Sequence, residues 1–96
     1  MKTIPQNKGL RTKKECSIFI DMNGNIVNRV RIINYTRLQL KYEIETDTGK
    51  LLAGYLNGNS SGSSTIHTIL YNSSWLEVTV LYQHDNSLIE KKRITL

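Results

Sequence analysis

Apolar and polar residues alternate with a period of two along most of the chain, which is the signature of half-buried β-strands. At 15–21 (ECSIFID) Cys16, Ile18 and Ile20 fall on one face and Phe19 on the other. Asn23-Gly24 then marks a hairpin, because turn positions with positive φ select these residues. Residues 26–34 set Ile26, Val30 and Ile32 against Arg29 and Arg31 and are expected to pair with the preceding strand. Over 37–45 the alternation is complete: Leu38, Leu40, Tyr42 and Ile44 interleave with Arg37, Gln39, Lys41, Glu43 and Glu45. A turn at Thr46-Asp47-Thr48-Gly49 leads into 50–56, where both registers are apolar and the orientation stays open.

The low-complexity run NGNSSGSS at 57–64 predicts a flexible surface loop between strands. Beyond it, 65–71 places Ile66 and Leu70 opposite Ile69 and Tyr71, and Asn72-Ser73-Ser74 turns the chain. The segment 75–83 sends Leu76, Val78, Val80 and Tyr82 to one side and Trp75, Glu77, Thr79 and Leu81 to the other. His84-Asp85-Asn86-Ser87 forms a hairpin loop, and 88–96 returns with Leu88, Ile94 and Leu96 in one register. The run Glu90-Lys91-Lys92-Arg93 fits an edge strand that uses charge against edge-to-edge aggregation. No segment carries an apolar stripe at helical spacing. The pattern predicts an all-β, antiparallel β-sandwich of about seven strands, favoured over a small barrel.

The closing stretch WLEVTVLYQHDNSLIEKKRITL, with its alternating strand, polar turn and charged final strand, resembles the last hairpin of immunoglobulin-like and fibronectin-III-like domains. The resemblance implies an immunoglobulin-like/fibronectin-III-like architecture and nothing about function. The chain departs from true immunoglobulin domains in lacking their paired core cysteines and central Trp. Trp75 or Leu76 stands where their corner Tyr would be.

Charge divides the chain unevenly. Residues 1–14 hold five cations (Lys2, Lys8, Arg11, Lys13, Lys14) and no anion. From residue 15 onward Arg29, Arg31, Arg37, Lys41, Lys50, Lys91, Lys92 and Arg93 are balanced by Glu15, Asp21, Glu43, Glu45, Asp47, Glu77, Asp85 and Glu90, so the formal net charge of +5 resides in the arm. The expected organisation is a flexible basic arm at 1–14 and one sandwich domain at 15–96. A lone Cys16 excludes an intramolecular disulfide and reads as a small buried apolar residue. With no signal peptide or membrane span in the pattern, an intracellular location is the default expectation. The Asn-x-Ser/Thr triplets at Asn34, Asn59 and Asn72 then read as turn chemistry rather than glycan acceptors.

Catalytic chemistry finds little support. His67 and His84 have no partners at metal-ligand spacing beyond the adjacent Asp85, and the serines lie in turns without a nucleophile elbow or phosphate loop. Neither a metal nor a cofactor is expected, and the chain is read as a non-enzyme. The candidate partner-binding residues are Lys8, Arg11, Lys13 and Lys14 in the arm, Arg29 and Arg31 on one strand, and Trp75 with Leu81 on another. Glu43 and Glu45 are expected to pair with the two arginines. The leading reading is a protein-protein interaction module, such as a small inhibitor, adaptor or virion-associated protein, binding through loops, a sheet edge or the arm. The alternative is a nucleic-acid-binding domain with a basic arm, although the arm has no aromatic for base stacking. A lipid-surface role ranks below both, and an exposed edge strand allows a homo-oligomer.

Overall fold

The computed structural model describes residues 14–58, 62–72 and 74–96. Of the expected arm over 1–14 all but Lys14, and Asn59 and Ser73 of the expected turns, lie outside the described residues. Seven strands form: β1 (Cys16–Asn23), β2 (Ile26–Asn34), β3 (Leu40–Thr46), β4 (Gly49–Leu56), β5 (Ser63–Tyr71), β6 (Trp75–Tyr82) and β7 (Leu88–Thr95). They build two antiparallel sheets, ordered β1-β2-β5 and β4-β3-β6-β7, that pack face to face as a β-sandwich. Consecutive hairpins make β1-β2, β3-β4 and β6-β7, while the chain changes sheet after β2, β4 and β5.

The central strands supply the core, as alternation requires when a strand has a sheet neighbour on both sides. Val27, Val30 and Ile32 of β2 face Leu40, Tyr42 and Ile44 of β3 and Leu76, Val78 and Val80 of β6, all buried. Cys16 and Ile18 complete the layer from β1, and Cys16 is the buried small residue its sequence context predicts. β4 resolves its two apolar registers by turning Leu52 and Leu56 inward and leaving Leu51 and Tyr55 exposed.

Bulges alter several expected positions, because one extra residue reverses the face of everything beyond it. Between Arg29 and Val27 the β1-β2 ladder skips Asn28, so Val27 rather than Ile26 enters the core and Ile26 is exposed. Leu88 pairs with Leu81 but Glu90 pairs with Val80, so Ile89 rather than Leu88 packs on the core. Leu38 is also exposed, since β3 begins only at Leu40 and Leu38 belongs to the crossover. The first hairpin turns on Gly24-Asn25, not Asn23-Gly24: Gly24 sits at φ 64° between the paired Asn23 and Ile26, with no positive φ at Asn25, as in a II′ turn. Ser63 and Ser64, expected in the loop, open β5.

The crossover from β2 to β3 is held by Asn34, which is fully buried. Its Nδ2 donates to the carbonyls of Leu38 (2.8 Å), Asn57 (3.2 Å) and Leu56 (3.3 Å). Its Oδ1 accepts from the Thr36 backbone N–H and the Thr36 hydroxyl, both at 2.8 Å. One side chain therefore ties the end of β2 to the start of β3 and the end of β4. The turn chemistry read from Asn34-x-Thr36 is present, and the amide is consumed by it. Gly58 closes the same corner, where a Cβ would lie 2.2 Å from the Arg37 carbonyl oxygen.

A second contact crosses between the sheets. Tyr42 lies over Gly54, whose missing side chain leaves room for it: a Cβ there would stand 2.5 Å from the Tyr42 Oη. The phenol thereby reaches His67 Nε2 of β5 at 2.7 Å, which in turn lies 3.3 Å from the Thr65 hydroxyl. His67 is thus a satisfied inward-facing residue.

Asn34→Ala removes the amide donor shared by three carbonyls, of which those of Leu38 and Asn57 keep the hydroxyls of Thr36 and Ser63, and should lower stability by about 2 kcal/mol, read as a shift of the urea midpoint at constant slope. Asn34→Asp, which sets a carboxylate against those carbonyls, should cost more than the alanine. Gly54→Ala should destabilise the wild type at least about 1 kcal/mol more than it does in a Tyr42→Leu background, as a double-mutant cycle would measure.

Candidate functional site

The outward face of the three-stranded sheet is assembled in rows across β1, β2 and β5. Phe19 pairs with Arg31, which pairs with Ile66; the next row is Asp21, Arg29 and Thr68. These residues face outward because the alternating set (Ile18, Ile20, Val30, Ile32) is taken by the core. Phe19 and Ile66 are exposed, the latter by 57%. The Arg31 guanidinium carbon lies 4.7 Å from the Phe19 ring centroid, within the range of a cation–π contact.

Arg29 and Arg31 share this face as the sequence suggests, but their anionic neighbour is not the one expected. Asp21 of β1 takes both: its Oδ2 is 3.0 Å from Arg29 Nε and 3.4 Å from Arg31 Nε. The second is a charge contact only, since the Arg31 Nε is buried and makes no hydrogen bond. Glu43 and Glu45 stand on β3, in the other sheet, where Glu43 meets Lys50 at 3.4 Å. The cation pair therefore carries half the net charge it would have alone.

At the far end of the same face β5 bulges. Ile69 and Leu70 together oppose Asn28, and Leu70 adopts φ 58°, a left-handed conformation that a leucine enters at a cost of about 1 kcal/mol or more. The strand keeps its alternation through the bulge, so Ile69 and Tyr71 stay on the core side and Leu70 is 68% exposed. With Ile26 beside it, the face presents apolar residues around two arginines.

Trp75 and Leu81 do not form one surface. Both lie on the outer face of the four-stranded sheet, but they stand six positions apart on β6, roughly 20 Å along an extended strand. Trp75 is half-buried under Arg93, whose guanidinium carbon is 4.1 Å from the ring centroid, and Leu81 pairs with Leu88. Of the arm cations, Lys14 is exposed just before β1, five residues and roughly 16 Å from Phe19 and Arg31. Lys8, Arg11 and Lys13 lie outside the described residues.

Ile66 and Leu70 were legible as one register of their strand but not as a site. The signal was the presence of apolar residues on both faces of 65–71, since only one face of an edge strand can enter the core. The loop residues behave as turn chemistry predicts: Asp85 Oδ1 accepts from the Ser87 N–H at 2.9 Å and from its hydroxyl at 2.7 Å. Those bonds hold the Asp85 carboxyl below its ordinary range. His84 Nε2 stands 3.5 Å from the Asp85 carboxylate. Among the described residues no group of three or more His, Cys, Asp or Glu converges in a metal-binding arrangement. No helix among them is long and apolar enough to cross a membrane.

The thiol of Cys16 is the one intrinsic nucleophile of high reactivity, and its surroundings suppress it. Burial first, and then the Glu90 carboxylate, push it up to about 11 from 9.0. Nearby, Tyr82 donates to the Glu15 carboxylate, which with partial desolvation raises the phenol to about 12. Compared with known proteins, the chain matches no protein-family model, no curated protein and no solved structure. The likeness of the closing hairpin accordingly extends to the sandwich and no further.

Cys16 should resist a thiol reagent at neutral pH and react only on unfolding. Because its folded pKa lies above the unfolded one, its contribution to stability is complete below pH 9 and is lost as pH rises from 9 to about 11. The urea midpoint should fall across that interval, and Cys16→Ala should flatten the fall.

Proposed function

We propose that this chain is a non-enzymatic protein-interaction module that binds a protein partner through the outer face of its three-stranded sheet. The observation that carries this reading is the row Phe19, Arg31, Ile66: an exposed aromatic, a half-buried arginine stacked on it and an exposed aliphatic residue held side by side on paired strands. Aromatic and arginine side chains dominate binding energy at protein interfaces, because they bury large areas with few rotatable bonds to order. Placing them on a sheet rather than a loop lowers the entropy lost on docking. An inhibitor or adaptor of this size would need no deeper cleft.

Binding of nucleic acid through the basic arm, with Arg29 and Arg31 extending its field, has less behind it. Asp21 sits against both arginines, and the row flanking them is apolar rather than cationic. Polyanion binding would instead rest on the arm, by counterion release.

Affinity capture from the native cell, followed by titration of the captured protein, separates the two. Phe19→Ala and Arg31→Glu should each weaken binding by roughly 30-fold, the scale of a 2 kcal/mol hot spot, while deletion of residues 1–13 leaves it within a few-fold. Binding that survives both substitutions and is abolished by the deletion would overturn the proposal. Retention on a polyanion column with a salt slope of several ions would then favour the arm.

A further inference from the structure

The four sheet edges differ sharply in how they are protected. An edge strand offers unpaired N–H and C=O groups to any other strand, so proteins block such edges with charge, bulges or covering side chains. β7 carries Glu90, Lys91, Lys92 and Arg93, and antiparallel self-pairing there sets cation against cation. Lys92, on the inward register of β7 opposite Val78, reaches across to the carbonyl of Ile18 on β1 at 3.3 Å and places an ammonium against that strand's backbone. β4 carries Lys50 and is interrupted by Leu51, the extra residue between Lys50 and Leu52 in its ladder with β3, which leaves a shorter regular uncharged run, Leu52 to Leu56. β5 has none of these devices over residues 63–68. It contains no charged residue and no proline there, and its ladder with β2 runs without interruption from Ser63 to Thr68.

From this contrast we infer that β5 is an interface with a second copy of the chain, the two β5 strands pairing antiparallel about a two-fold axis at Ile66. The resulting sheet has six strands in the order β1-β2-β5-β5-β2-β1. Faces must match across an antiparallel pair, and this register matches them. Outside, Ile66 opposes its counterpart and Ser64 opposes Thr68; inside, Thr65 opposes His67. Apolar meets apolar, hydroxyl meets hydroxyl, and no like charges face each other. The self-matching register selects a second copy as the occupant, and the absence of charge permits it to approach. Two chains of net charge +5 repel wherever their cations meet, and 63–68 is a stretch of edge where none do. A two-fold interface uses one patch twice, so the self-complementary register is the condition for closure. Pairing also covers Ile66, one of the most exposed large apolar side chains of the fold. The inference does not depend on the outer face having a protein partner.

Sedimentation of the full chain from micromolar to millimolar concentration should show a reversible monomer–dimer equilibrium. Ile66→Lys, at an exposed site where the fold tolerates it, sets two ammonium groups opposite each other and should weaken dimerisation at least tenfold, with the circular dichroism unchanged. Ala53→Lys on β4 should leave it intact. Mild oxidation gives a readout of register: Ile66→Cys should cross-link to a disulfide dimer, because directly opposed Cβ atoms lie about 5 Å apart. Ser64→Cys should not, its two copies being about 13 Å apart along the strands. A chain that stays monomeric throughout, a dimer dissolved by Ala53→Lys but not Ile66→Lys, or equal cross-linking of the two cysteine variants would each overturn the assignment. A monomeric outcome would leave the β5 edge to a strand from a different protein.

Discussion

The relation between the two sheets rests on one buried amide. Where the chain leaves β2 for the opposite sheet, three backbone carbonyls from two segments, Leu38 before β3 and Leu56-Asn57 at the end of β4, converge on the Asn34 side chain. Asn34 supplies both N–H bonds to them and uses its oxygen on Thr36, so its hydrogen-bonding capacity is fully spent. The reversed amide orientation would set oxygen against three carbonyls, so the network itself fixes which way the group points. Gly58, pressed against the Arg37 backbone, lets the 57–58 segment approach closely enough for those bonds to form. This corner fixes the polar end of the packing of β3 and β4 over β2, which the apolar core layer and the Tyr42–His67 contact continue.

Given that corner, what each face presents is decided by single-residue irregularities. Asn28 shifts the phase of β2 so that Val27 fills the core and Ile26 is turned out. Ile89 does the same for β7, whereas β5 takes up the irregularity opposite Asn28 at a left-handed Leu70 without changing face. Charge divides the sandwich laterally. One side, β1 and β7, is closed by charge and by the Lys92 bridge; the other, β4 and β5, is nearly free of charge.

Much of this was readable along the chain. The perfect alternation of Leu40, Tyr42 and Ile44, and of Leu76, Val78 and Val80, named the core strands because a period of two in a half-buried sheet admits one assignment of faces. The turns at Gly24, Thr46–Gly49 and His84–Ser87 were marked by residue types that tolerate positive φ or bond their own backbone. Arg29 and Arg31 were correctly placed together on an outward face. Their partner was misread, because Glu43 and Glu45 are near in sequence pattern but lie in the other sheet, and sheet membership is not a local property. Trp75 and Leu81 share a register, yet register says nothing about distance along a strand or about Arg93 lying over the indole.

The chain by itself determined strands, turns, a buried thiol and an uneven distribution of charge, since each follows from the chemistry of neighbouring residues and the two-residue period. Only the tertiary structure decided which strands are edges, which carboxylate meets the arginine pair, and that a sequon-like Asn34 is the fastening of the fold. Those depend on contacts between residues far apart in sequence. A side chain's role there is set by which unsatisfied groups the folded backbone brings to it.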